Sequence, residues 1–300
     1  LLEKFVVLPR IIESTNFQAE ARRTIMSSLK FRRVLLTLCL LLFAASLFGQ
    51  AAQTKPFEPT VGQPGKDVVW VPTPQALVDK MLEIAKVTPQ DFVMDLGSGD
   101  GRTVITAAKK GATAMGVEYN PDMVALSKKN ATSQGVTTKA SFVQADLFQT
   151  DFSKANVVTM FLLPDINLRL RPKILDLKPG TRIVSNTFTM GEWEADQTAT
   201  ITDDCTSWCT ALLWIVPAKV EGTWELPQGQ LQLSQAFQNV TGALANGANK
   251  TALSNGKLSG DQISFAVGTT QYTGRVNGNT MEGSFKSGTG NGAWKATKKL

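Results

Sequence analysis

Asp95-Leu96-Gly97-Ser98-Gly99-Asp100-Gly101-Arg102 is the stretch on which the fold turns. It follows an apolar run at 92–94 that reads as a short buried strand, and it opens a helical pattern at 101–110. Glycines at 97, 99 and 101 let the backbone turn tightly and come close to a ligand that a Cβ would push away. Outward from this loop the same alternation repeats. Residues 114–118 and 140–145 read as strands, with a helix at 121–130 opened by Pro121. A fourth strand is expected at 157–163, a helix at 165–177 and a fifth strand at 183–188. A helix at 74–85 precedes them, with Leu77, Met81, Leu82 and Ile84 on one stripe. Strands at 199–202 and 210–216 lack a helix between them, so they form an antiparallel hairpin at the sheet edge. The expected fold is α/β: a Rossmann-like, mostly parallel seven-stranded sheet over residues 67–218.

Three neighbouring strand ends carry the chemistry. The first has the glycine loop, with Asp95, Gly97, Ser98, Gly99 and Gly101 as candidate ligand contacts. The second ends in Glu118, which can accept both hydroxyls of a ribose. The third ends in Asp146, which can accept from an exocyclic amine, while Leu147 and Phe148 pack on a purine. Taken singly, Glu118 reads as a solvated strand end and Asp146 as a helix cap; on successive strands they read as a nucleoside site. The loop departs from the dinucleotide fingerprint, because Arg102 stands where that pattern wants glycine. Asp95 and Asp100 would repel a pyrophosphate. They suit a ligand with an amino group and a sulfonium, and S-adenosylmethionine fits.

With these residues in view, 71–218 resembles the class I S-adenosylmethionine-dependent methyltransferases. More narrowly, it is similar to the lysine N-methyltransferases that modify the ATP synthase c-ring protein and related carrier proteins, together with their bacterial relatives. The matching stretches are Val71-Pro72-Thr73-Pro74, the glycine loop, Gly116-Val117-Glu118, Asn120-Pro121, Asp146-Leu147-Phe148 with Asp151, Leu162-Leu163-Pro164 with Asn167, Leu170-Arg171-Pro172-Lys173 and Pro179-Gly180-Thr181-Arg182. Asn186 departs from the pattern, since some relatives carry histidine there. The resemblance implies in-line methyl transfer to a protein lysine, with a membrane protein among the candidate substrates. Phe161, Leu162, Leu163 and Pro164 are then expected to line the acceptor channel, and Asp165 is a weak candidate for taking the proton. A helix cap is the competing role for Asp165. A small-molecule methyltransferase with the same cofactor residues, and a non-enzymatic exported protein on a relic nucleotide fold, are the alternatives.

Composition bounds the chemistry further. The 300 residues contain no histidine, which excludes Ser-His-Asp triads, His-ligated zinc and a histidine base. No metal site is expected. Lys and Arg number 31 against 25 Asp and Glu, but residues 1–51 hold seven of the former and three of the latter. The remainder is too near neutral for a nucleic-acid partner. Lys30, Arg32 and Arg33 precede an apolar run at 34–48, and Gly49-Gln50-Ala51 offers a cleavage site. Residues 1–51 therefore read as a leader, with 26–51 a signal peptide or membrane anchor. The chain is expected to be exported (periplasmic or cell-envelope) or membrane-anchored. Residues 52–66, rich in Pro and Gly, read as a linker.

Thirteen of the 24 glycines fall in 219–300. Asn-Gly pairs at 246–247, 255–256, 277–278 and 291–292 punctuate short alternating runs, the pattern of hairpins. A small antiparallel barrel or sandwich is expected, with Trp224 and Trp294 near its closure. Envelope or substrate binding and plain packing are its two candidate roles. Cys205 and Cys209 flank the 199–216 hairpin loop. They read as a disulfide if the chain is exported and as two free thiols otherwise.

Overall fold

The computed structural model describes residues 57–299 except 289, together with Met26 and Arg32. The leader at 1–51 and the start of the linker thus lie outside the described residues, those two positions apart. Among the described residues no helix is long and apolar enough to cross a membrane.

Seven strands form the first sheet: β1 (Phe92–Leu96), β2 (Thr113–Glu118), β3 (Ala140–Gln144), β4 (Val157–Met160), β5 (Arg182–Asn186), β6 (Gln197–Thr200) and β7 (Thr210–Ile215). Their spatial order is β3-β2-β1-β4-β5-β7-β6. The first five pair in parallel, and β7 lies antiparallel between β5 and β6. The helices are α1 (Gln75–Ile84), α2 (Arg102–Lys109), α3 (Pro121–Ser133) and α4 (Pro164–Leu175). Each parallel crossover needs about a dozen residues or more, and a helix supplies most of them. The β6–β7 connection is too short for that, so the pair turns antiparallel. Two apolar layers result. One joins α1 and α2 to the sheet through Leu77, Leu82, Val104 and Val184; the other joins α4 through Ile166, Leu170, Ile183 and Trp214. The Arg182 guanidinium pairs with Asp91 and ties the start of β5 to the loop before β1.

The chain builds β1, β2 and β3 outward in one direction and then returns to place β4 on the other side of β1. That reversal opens a crevice at the carboxyl ends of β1 and β4, where open α/β sheets bind ligands. A Cβ on Gly97 would lie 3.2 Å from the Leu162 side chain, so the loops after β1 and β4 face one another closely there.

The second sheet is a closed antiparallel barrel of eight strands: β8 (Gly222–Leu226), β9 (Gly229–Ala236), β10 (Asn239–Asn246), β11 (Asn249–Ser259), β12 (Gln262–Val267), β13 (Thr270–Asn277), β14 (Thr280–Ser287) and β15 (Gly290–Lys298). It closes where β15 meets β8, with Lys298 opposite Trp224. Trp224, Phe265, Tyr272, Met281 and Trp294 fill its interior. Two of the four Asn-Gly pairs are turns, at 247 and 278; the other two are not. Asn255-Gly256 lies inside β11 at a bulge, Asn255 at φ 53° and a Gly256 Cβ blocked by the Val240 carbonyl at 2.1 Å. Asn291-Gly292 lies inside β15, where Gly292 leaves room for the Phe285 ring. Close backbone approach and aromatic packing select glycine as strongly as a turn does.

The barrel packs on the first sheet through aromatic groups. Phe237 stacks on Trp193 with ring centroids 5.8 Å apart, and the Trp214 indole donates to the Trp193 carbonyl at 2.7 Å. Gln238 donates to the Glu194 carbonyl at 2.9 Å. Phe237→Ala is therefore expected to lower stability by about 2 kcal/mol. Urea unfolding checks it, and the loss should appear in the transition that exposes Trp193.

Candidate functional site

The crevice gathers residues from the ends of neighbouring strands. Asp95, Gly97, Ser98 and Gly99 come from the end of β1 and the loop after it, Glu118 from β2, Asp146 and Leu147 from the segment after β3, and Phe161, Leu162 and Leu163 from the turn after β4. All ten were candidates from the sequence, and they border one pocket. Gly101, Pro164 and Asp165 do not border it. Gly101 starts α2 at φ 84°, and a Cβ there would meet the Phe142 ring at 2.8 Å. Its demand is packing beneath the loop. Pro164 and Asp165 form the exposed first turn of α4, and Ile166 reaches the pocket from that helix.

Gly99 marks the closest approach of the loop. It sits at φ 53°, and a Cβ would lie 2.6 Å from the Trp70 indole nitrogen. Its N–H donates to Glu118 Oε2 at 3.0 Å, while Asn120 N–H donates to Oε1 at 2.9 Å. Two backbone donors thus lock the Glu118 carboxylate in place and leave its remaining lone pairs for a ligand. Asn120 also caps α3, its side chain accepting from Asp122 N–H at 2.9 Å.

Asp95 is buried and accepts from the Thr159 hydroxyl at 2.7 Å. Burial foremost, then the charges of Glu118 and Asp100, pushes its pKa up to about 7. Asp100, read from the sequence as a second attractor for a cation, instead pairs with the Arg102 guanidinium at 2.6 Å. Arg102 donates onward to the Thr73 carbonyl at 2.8 Å, so the ion pair clips the loop to the chain ahead of α1. Asp146 accepts from Lys66 Nζ at 2.5 Å and from Phe148 N–H at 2.9 Å. The Lys66 ammonium holds the Asp146 carboxyl below the usual carboxylate range.

Several pocket residues were missed by sequence reasoning. The stretch read as a linker contributes Gln63, Pro64, Gly65 and Lys66, and Val68 to Thr73 continue the same wall. Gly62 N–H bonds the Trp70 carbonyl at 2.8 Å and Pro64 bridges Val69, which folds this stretch into a strap. Lys66 lies 5.0 Å over the Tyr119 ring. Tyr119, Asn120, Met123, Phe188 and Trp208 also border the pocket. Asn-Pro at 120–121 signalled a helix start, but nothing local in the sequence pointed Trp70 or Trp208 at the glycine loop.

These groups fit S-adenosylmethionine. Glu118 offers a fixed carboxylate where a ribose diol belongs, and Asp95 a buried acid for a cationic ligand. The buried Ser98 hydroxyl has no partner of its own within the described residues. The glycine loop leaves a cradle that a Cβ on Gly99 would fill. S-adenosylmethionine is the cofactor.

Comparison with known proteins agrees with this geometry. The ANTKMT methyltransferase domain model matches residues 95–197. A protein-lysine N-methyltransferase of Saccharolobus islandicus is 47% identical over 139 residues, covering 45% of this chain and 86% of that protein. The human lysine N-methyltransferase named for the c-ring protein of ATP synthase is 35% identical over 128 residues, covering 42% of this chain and 54% of that one. The chain thus spans about half the length of this animal relative. The crystal structure of an RNA methyltransferase from Salinibacter ruber with S-adenosyl-L-homocysteine is 46% identical, covers 50% of this chain and 96% of that chain, and superposes with a TM-score of 0.47. The S. islandicus relative, matched over most of its length, decides the assignment: this chain belongs to the protein-lysine N-methyltransferase family of S-adenosylmethionine-dependent enzymes.

Proposed function

We propose that this protein methylates a lysine side chain of a protein substrate, with a membrane protein the favoured acceptor. One observation carries the reading. Beside the glycine loop, the pocket runs onto apolar and aromatic surface from Phe161, Leu162, Leu163, Ile166 and Phe188. Such a wall excludes water from the amine and favours its neutral form, whose lone pair is the nucleophile.

When bound, S-adenosylmethionine supplies an electrophilic methyl group on sulfur. The amine lone pair forms the new C–N bond as the C–S bond breaks, and its electron pair stays on the sulfur of S-adenosylhomocysteine. The ammonium proton passes to water, so no histidine base is needed. Glu118, Asp95 and Asp146 hold and orient the cofactor, and the turn at 161–163 aligns the acceptor.

The apolar run at 34–48 supports membrane association. The names of the ATP synthase-directed relatives support a membrane-protein substrate. The test incubates the protein with methyl-labelled S-adenosylmethionine and a solubilised membrane-protein fraction. Label should be recovered as methyl-lysine after acid hydrolysis, and prior acetylation of the acceptor lysines should abolish it. Label confined to lipid or small-metabolite extracts would favour the small-molecule reading.

A further inference from the structure

The loop between β6 and β7 reaches the pocket from an unexpected direction. Because β7 runs antiparallel to β5, its start lies at the carboxyl edge of the parallel strands, with Asn186 opposite Ala211. Thr187 N–H bonds the Thr210 carbonyl at 2.7 Å, fixing the loop's exit beside the end of β5. Cys205 and Cys209 are disulfide-bonded, with Cα atoms 5.8 Å apart. Within the loop Asp204 and Trp208 both take a left-handed φ of 56°. Bulky residues seldom adopt that conformation.

Trp208 is 42% exposed, so it contributes little to the core. It nevertheless borders the same pocket as Gly97 and Leu162. Its ring meets Phe161 edge-on with centroids 5.9 Å apart, and Phe161 stacks on Phe188 at 5.9 Å. The three rings form one aromatic wall. Its far member is braced from behind: the buried Asn167 donates to the Phe188 and Thr189 carbonyls, each at 3.2 Å. Its near member rests on a loop whose shape the disulfide restrains.

We propose that Trp208 is an acceptor-docking residue, and that the Cys205–Cys209 bond holds it in position and so couples acceptor binding to thiol redox state. The inference rests on the lysine reading above. A lysine side chain is an aliphatic stem ending in a cation. An aromatic wall suits both parts, through apolar contact along the stem and cation–π attraction at the head. Glu118, Asp95 and Asp146 lie on the other strand ends, so opening this loop leaves the cofactor contacts intact. Breaking the disulfide frees Asp204 and Trp208 from their left-handed conformations and lets the indole leave Phe161.

The test uses the full chain, labelled S-adenosylmethionine and poly-L-lysine as the acceptor probe. Trp208→Ala should raise KM for poly-L-lysine about tenfold, in line with the loss of one desolvated cation–π and stacking partner. Cofactor Kd should stay within about twofold, and Trp208→Phe should recover most of the loss, as expected if ring surface is what matters. The Cys205→Ser, Cys209→Ser double variant, and wild type treated with dithiothreitol, should both raise acceptor KM severalfold. The reductant should have no further effect on the double variant. Unchanged acceptor KM in Trp208→Ala, or a parallel loss of cofactor affinity, overturns the docking role. Wild type indifferent to reductant overturns the redox coupling. Wild type that binds cofactor but leaves poly-L-lysine unlabelled overturns the lysine reading and this inference with it.

Discussion

Glu118→Ala is expected to weaken S-adenosylmethionine binding about a hundredfold, with little change in fold, as read by titration calorimetry alongside a thermal melt. A charge-assisted hydrogen bond contributes about 1.5–3 kcal/mol, and a ribose diol makes two to one carboxylate. Losing both at the low end gives about 3 kcal/mol, which corresponds to roughly two decades in Kd. The Gly99 and Asn120 amides would also lose their acceptor, so the glycine loop itself would loosen. Glu118→Gln keeps one acceptor oxygen and should fall between the two. Both variants should melt close to wild type, because Glu118 is only half-buried and forms no ion pair among the described residues. Binding that survives Glu118→Ala unchanged would remove the ribose assignment.

Part of this site is legible in the chain because its signals are local. Strand periodicity, the glycines at 97 and 99, and an acid at the end of each following strand lie within short windows, and the sheet's strand order brings those windows together. The strap at 62–73 was not legible. A polar stretch rich in Pro and Gly looks the same whether it joins two domains or folds over a pocket. Only the Lys66–Asp146 contact and the Trp70–Gly99 approach tell them apart, and both cross long stretches of chain. Asp100 shows a different failure. Its charge was counted toward the ligand, yet Arg102, two residues on, neutralises it. In the barrel, Asn-Gly served equally as a turn at 246–247 and as a bulge at 255–256. The dipeptide reports a left-handed or crowded backbone, and long-range pairing decides which element contains it.

Asp95→Asn should stabilise the free protein at neutral and higher pH while weakening cofactor binding. In the folded state the carboxyl has a pKa of about 7, against 3.8 ordinarily, chiefly because it is buried. A raised carboxylate pKa means that folding favours the protonated form. The resulting stability is fully present below about pH 4 and is lost as pH rises through about 7. A shift of about three units sets the size of that loss, on the order of 4 kcal/mol. Urea unfolding at pH 5 and pH 8 should therefore show wild type losing stability across the interval, and Asp95→Asn losing much less. The amide keeps a partner for Thr159 without the charge that Glu118 and Asp100 oppose. A positively charged ligand reverses the balance, because it favours ionised Asp95. Near pH 6, where free Asp95 holds its proton, cofactor binding to wild type should release a fraction of a proton. Titrations in two buffers of different ionisation enthalpy measure that release. It should vanish in Asp95→Asn, and cofactor affinity should fall about tenfold, the size expected for one charge-assisted contact. Proton release that persists in the variant would assign the linkage to another group.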